Sequence, residues 1–149
     1  MELERILVGV DGSENSLRAV TWAAELARLA DAEVVAVHAV GLLDHRDPDH
    51  PAPARAHRDE IRARFERDWC RPLDEAGVRS QRLLRDGSPV TALLAAAADE
   101  HADLIVVGSR GLGGFPELLL GSTSTQVAQH APCPVVIVPP EQHETVEGP

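Results

Sequence analysis

This chain is short of basic charge. Its 14 Lys and Arg face 24 Asp and Glu, a formal net charge of -10 at pH 7. A nucleic-acid binder needs a basic stripe to neutralise phosphates, so that class is excluded. An anionic membrane surface is excluded on the same ground. A phosphate-bearing ligand has to be held by local N–H groups and dipoles against an unfavourable net field. Long apolar runs are also missing, and none approaches the length of a membrane span. The start of the chain is acidic, and its apolar run over residues 6–10 is too short for a secretory leader, so a cytoplasmic protein is expected. Cysteine is scarce. Cys70 and Cys133 lie far apart, fit no metal or redox spacing, and read as free thiols.

What is present is an ordinary globular composition, with 26% charged and 44% hydrophobic residues over 149 positions. That length predicts one domain over residues 1–140, followed by an acidic, disordered tail over 141–149. Residues 6–10 form a β-branched run without alternation, as in a strand covered on both faces. Asp11 or Ser13 caps the helix over 14–30, where Leu17, Val20, Ala24 and Ala27 recur at helical spacing, as do Trp22 and Leu26. A second apolar strand spans 33–40. Residues 41–53 are a Pro-rich loop. Ile61, Phe65 and Trp69 step by four along a helix expected to run to about Arg71. Pro72 then begins one further turn ending at Gly77.

The strand predicted over 78–85 is polar enough for a sheet edge. Ser88 and Pro89 start a helix over 90–101, a strand follows over 103–108, a helix over 122–130 and a last strand over 135–138. The order β-α-β-α-β-α-β-α-β implies an α/β fold: a single-domain, open, doubly wound, five-stranded parallel sheet with helices on both faces. Ligands in such sheets bind beyond the carboxyl ends of the strands, at the switch in strand order. Here those ends are Asp11, Ala39-Val40 and Gly108.

Residues 104–138 organise the rest. A strand stops at Gly108, a loop follows with glycines at 111, 113 and 114, and Gly121-Ser122-Thr123 opens a helix. Helix N–H groups and the helix dipole both favour a phosphate there. The P-loop pattern G-x-x-x-x-G-K-[ST] is absent. The glycines read G-x-x-G-x-G-G after the fourth strand, which excludes a dinucleotide fingerprint. The histidines suggest no metal site: His38 reads as a satisfied core or edge residue, while His45, His50 and His57 fall in the polar loop and helix start.

Three stretches carry a resemblance. Gly108-x-x-Gly111 is followed by nine residues and Gly121-Ser122. Val8-x-Val10-Asp11-Gly12-Ser13 stands near the start, and His130-Ala131-Pro132-Cys133-Pro134-Val135 near the end. Together, over residues 4–139, they resemble the universal stress protein family, in its ATP-binding branch. The resemblance implies an adenine nucleotide alpha hydrolase-like fold of strand order 3-2-1-4-5 and a bound adenine nucleotide: ATP, or AMP or ADP, with Mg²⁺ to offset charge. By similarity, Gly9, Asp11 and the Ala39 backbone lie at the base. Asp11 alternatively reaches a ribose hydroxyl or a Mg²⁺-bound water, or is only a helix cap. Gly108 and Gly111 give the close approach to the ribose. Gly121, Ser122, Thr123 and Ser124 supply phosphate-side donors. Arg110, from its position in the loop, is either a phosphate partner or a solvated charge. The family often has a basic residue in mid-loop where this chain has Pro116-Glu117, a carboxylate that weakens triphosphate binding.

No catalytic set accompanies these residues, since phosphoryl transfer needs a positioned water, a base and charge stabilisation. The first expectation is therefore a stress-response module that acts by nucleotide-dependent conformational change. The alternatives are a slow ATPase or phosphotransfer enzyme, or a nucleotide-free dimeric scaffold. Leu118-Leu119-Leu120 is expected to pack on the sheet. The last strand, Val135, Val136, Ile137 and Val138, is β-branched and uncharged, so at an edge it must be covered. The resemblance implies an antiparallel homodimer joined there about a twofold axis.

Overall fold

The computed structural model of the chain describes residues 2–40, 54–110 and 120–141. Strand β1, Arg5–Gly9, has its middle three residues buried on both faces of the sheet. Such a strand belongs at the centre, and β1 pairs in parallel with β2, Glu33–Val40, on one side and β4, Leu104–Gly108, on the other. Strand β3, Ser80–Asp86, joins the outer side of β2, and β5, Val135–Val138, the outer side of β4. The sheet is parallel throughout, in the order β3-β2-β1-β4-β5. The switch in strand order falls between β1 and β4.

Helices cover both faces. Ile6, Val8, Val34, Ala36 and Val106 pack under α1, Glu14–Ala30, and the short α3, Arg71–Ala76. The alternate residues Leu7, Val35, Val37, Ile105 and Val107 pack under α4, Pro89–Asp99, and α5, Ser122–His130. This is the two-residue period of a strand expressed as two cores. The expected loop over 41–53 lies outside the described residues, as does the expected tail beyond Glu141.

Several elements differ from the sequence expectation. The helix expected to run to about Arg71 is broken. Helix α2, Ala54–Arg64, passes into a π-helical turn over Phe65–Trp69, and α3 then starts with Pro72 in its first turn and ends at Gly77. Wider π turns carry functional geometry more often than plain helix does. Here Phe65 is driven fully into the core, and the Glu66 carbonyl accepts a hydrogen bond from the Arg82 guanidinium of β3. The buried face of α1 consists of Asn15, Ser16, Ala19, Val20, Ala23, Ala24 and Ala27, whereas Leu17 and Trp22 are exposed. Small side chains let the helix lie close on the sheet, so the larger apolar residues face outward. Strand β3 begins two residues later than expected, at Ser80, but holds the expected edge. Leu120 is exposed rather than packed on the sheet, and Leu118 and Leu119 lie outside the described residues.

Candidate functional site

The carboxyl ends of β1, β2 and β4 meet the N-terminal turns of α1 and α5. The turn after β1 is built from its own polar residues. Ser13 caps α1: its hydroxyl accepts the Ser16 N–H at 3.1 Å. One Asp11 carboxylate oxygen accepts from the Ser13 N–H at 2.9 Å and from the Ser13 hydroxyl at 2.6 Å, while the Asp11 N–H donates to Ser16 Oγ at 3.0 Å. Of the two capping candidates, Ser13 caps the helix and Asp11 orients the cap.

Gly12 sits at φ 83°, in the left-handed region, and a Cβ there would come within 2.7 Å of the Trp69 ring. Trp69 in turn meets His38 edge-on, with centroids 5.0 Å apart, and Phe65 lies 5.8 Å from His38 on the same side. His38 Nδ1 is 2.6 Å from the Val10 carbonyl, and because that partner only accepts, the proton sits on Nδ1. Burial pushes the imidazole below its usual pKa, opposed by its bond to Val10 and by the charge of Asp11. His38 is thus a satisfied, half-buried residue behind the β1 turn.

Ala39 lies two residues beyond Val37, whose carbonyl accepts the Val10 N–H at 2.9 Å. Alternate residues of a strand aim their backbone groups to the same side. The Ala39 N–H and C=O therefore face the space beyond the end of β1. A Cβ on Gly9 would approach Leu93 of α4 at 3.1 Å, so its missing side chain makes room in the core.

At the end of β4 the backbone is held by a residue that sequence reasoning missed. Asn15, in the first turn of α1, is buried. Its Oδ1 accepts from the Arg110 N–H at 2.8 Å and the Ser109 hydroxyl at 3.2 Å, and its Nδ2 donates to the Val138 carbonyl at 3.0 Å. Gly108 fits beneath it, since a Cβ would stand 3.0 Å from Asn15 Cγ and 3.1 Å from its carbonyl oxygen. Ser109 is buried too. Its carbonyl accepts the Gly121 N–H at 2.6 Å and the Ser124 hydroxyl at 2.9 Å, which docks the start of α5 against the end of β4. The one available signal for Asn15 was a poor helix former placed where the α1 pattern turns inward.

Gly121 and Ser124 therefore spend donors inside the protein. Among the described residues no side chain caps α5, and none pairs with the N–H groups of Ser122, Thr123 and Ser124 in its first turn, with Ser122 exposed. Gly111 and Glu117 lie outside the described residues. Cys70 is buried in the α1 face core, with its pKa pushed up to about 12 by desolvation, and Cys133 packs on the other face, also raised by burial. Among the described residues no helix is long and apolar enough to cross a membrane.

An open parallel sheet in this strand order, with two helix N-termini gathered at its switch point, defines the adenine nucleotide alpha hydrolase-like class of fold. The universal stress protein family model matches residues 2–139, and the chain belongs to that family. It is 39% identical over 137 residues to the universal stress protein in the QAH/OAS sulfhydrylase 3′ region of Thermus aquaticus, which covers 89% of this chain and 96% of that one. A universal stress protein solved in complex with cAMP is 31% identical, with a TM-score of 0.72 over 95% of this chain and 100% of that one. Protein MJ0577 matches at a TM-score of 0.80 over 95% and 99% of the two chains, and at 21% identity that likeness is one of fold.

Proposed function

We propose that this chain is an adenine-nucleotide-binding module of the stress response, one that signals by a change of conformation. The base lies beyond β1 and β2, against Asp11 and the Ala39 backbone. The ribose lies at Gly108 and Gly111. The phosphates meet the first turn of α5 at Ser122, Thr123 and Ser124, with Arg110 as the cationic partner and Mg²⁺ water beside Asp11. The observation that carries this reading is the uncapped first turn of α5, docked on Ser109 beside the β1–β4 switch point. A helix N-terminus in that position is an anion site. The relative in complex with cAMP supports an adenine nucleotide. Binding is favoured over hydrolysis because one oxygen of Asp11 is tied up by two hydrogen bonds to Ser13. The reading includes a cytoplasmic protein whose residues 1–140 act as one unit and which dimerises through β5.

Mass spectrometry of nucleotide released from the purified protein, with melting curves in millimolar ATP, ADP, AMP, cAMP, adenosine and GTP, tests the proposal. Ligand at a hundred times its dissociation constant adds about 2.7 kcal/mol of stability. The adenine nucleotides are expected to raise the melting temperature, adenosine less, and GTP not at all. An adenine nucleotide that neither co-purifies nor shifts the melt leaves a nucleotide-free scaffold instead.

A further inference from the structure

We infer that Asn15 is a positioning residue that couples the phosphate side of the site to the β5 edge. The inference rests on the nucleotide reading above. One buried amide holds two things that lie far apart in sequence. Its oxygen fixes the Arg110 N–H and the Ser109 hydroxyl, where the chain leaves β4 for the glycine loop. Its nitrogen fixes the Val138 carbonyl, the last residue of β5. The same carbonyl accepts the Ser109 N–H at 2.9 Å, and Arg18 Nε reaches the next carbonyl, that of Pro139, at 3.0 Å. The loop returns at Gly121, whose N–H is held by the Ser109 carbonyl. Both ends of the loop and the end of the edge strand therefore hang on two adjacent buried residues, Asn15 and Ser109.

The amide is oriented by chemistry. Its oxygen faces the Arg110 N–H, which only donates, and its nitrogen the Val138 carbonyl, which only accepts, so a flip of the group would lose both bonds at once. A ligand that tightens Arg110 and the start of α5 thereby tightens the Asn15 plane and, through Nδ2, the carboxyl end of β5. The outer side of β5 is a sheet edge whose residues Val135, Val136 and Ile137 are half-buried in the single chain. Ordering that strand favours its pairing with a second copy. Linkage then requires the reverse as well: dimerisation strengthens nucleotide binding by the same factor.

Asn15→Asp separates the two halves of the amide. The carboxylate still accepts from Arg110 and Ser109, but its second oxygen faces the Val138 carbonyl with no proton to donate. The amide's own link to β5 is cut while its link to the loop stays, and the Ser109 N–H still reaches the Val138 carbonyl. Asn15→Ser, too short to hold both ends, serves if Asn15→Asp does not fold. The dimer dissociation constant is measured by sedimentation without ATP and with ATP at a concentration saturating for each protein, and ATP binding is followed separately by calorimetry. In the wild type, ATP is expected to tighten the dimer by about tenfold, within the usual range of coupling between sites. In the variants the ratio is expected to fall to within about twofold of one, well under that range.

A variant that keeps the wild-type ratio overturns the inference, and so does a wild-type dimer that ignores bound ATP. Loss of ATP binding in both variants makes Asn15 a prop for the fold and overturns it as well. A wild type that binds no adenine nucleotide in the calorimeter refutes the nucleotide reading itself, and the coupling with it.

Discussion

Trp69 lies directly against the backbone of Gly12, so closely that a Cβ at position 12 would stand 2.7 Å from its Cζ2 and 2.8 Å from its Cε2. The turn after β1 and the π-helical turn before α3 are therefore fitted to each other. Gly12→Ala meets two penalties, a left-handed φ of 83° and the ring. Strain of the first kind costs about 1–3 kcal/mol, and overpacking adds about as much again. Denaturant melts should show Gly12→Ala destabilised by about 2–6 kcal/mol on those grounds. Gly12→Ala/Trp69→Ala should cost less than the sum of the two single changes, since the contact is shared. Strict additivity would mean that the ring is not what position 12 avoids.

His38 makes stability depend on pH near neutrality. Its folded pKa is lowered by burial, so the unfolded chain takes up the proton more readily. Its stabilising contribution is thus full above the unfolded value of about 6.5 and is lost as pH falls from there through the folded pKa. Each unit of separation is worth about 1.4 kcal/mol. Asp11 opposes the shift, and among the described residues Phe65, Trp69 and the Val10 carbonyl contact the ring. His38→Gln should be less stable at pH 8 and show a flatter profile between pH 7 and 5 by urea unfolding. Equal slopes for the two proteins in that window would assign the pH dependence to other groups.

The elements of this fold were legible where they are punctuated locally. Ser88 and Pro89 start α4, Gly121 and Ser122 start α5, and β5 stands between Pro134 and Pro139, all as the residues alone imply. The π turn was not legible, because what accommodates it is a guanidinium sixteen residues further on, Arg82 on the Glu66 carbonyl. The exposed Leu17 and Trp22 were misplaced because a period marks an apolar face without saying that alanines pack closer to a sheet. At the site, the glycine and hydroxyls of Gly121-Ser122-Thr123 marked the start of α5, where the sequence placed it. Asn15 did not announce itself, since its partner Val138 is 123 positions away.

Strand β5 should tolerate no charge. Among the described residues it pairs with β4 alone; Val136 leans toward the α1 core, and Val135 and Ile137 toward the α4–α5 core. A lysine on such an edge blocks pairing with another chain. Val136→Lys or Ile137→Lys should yield monomer or aggregate in light scattering, against the dimer proposed for the wild type. An unchanged dimer in both variants places the interface elsewhere.

Two glycine substitutions separate backbone strain from contact at the site. Gly87 has φ 107° with nothing within 4 Å of a would-be Cβ, whereas Gly108 meets the side chain and backbone of Asn15 at 3.0–3.2 Å. Gly87→Ala should therefore cost stability by strain alone, about 1–3 kcal/mol, and leave nucleotide affinity where it was. Gly108→Ala must push the first turn of α1 off the end of β4. Its Cβ presses on the amide that holds Arg110 and Ser109, so the backbone at the end of β4 shifts by a few tenths of an ångström. A displacement of that size at a preorganised site should weaken ATP binding about tenfold or more. Titration calorimetry on both variants checks the contrast. Equal affinities for Gly108→Ala and wild type would show that the end of β4 does not line the nucleotide site.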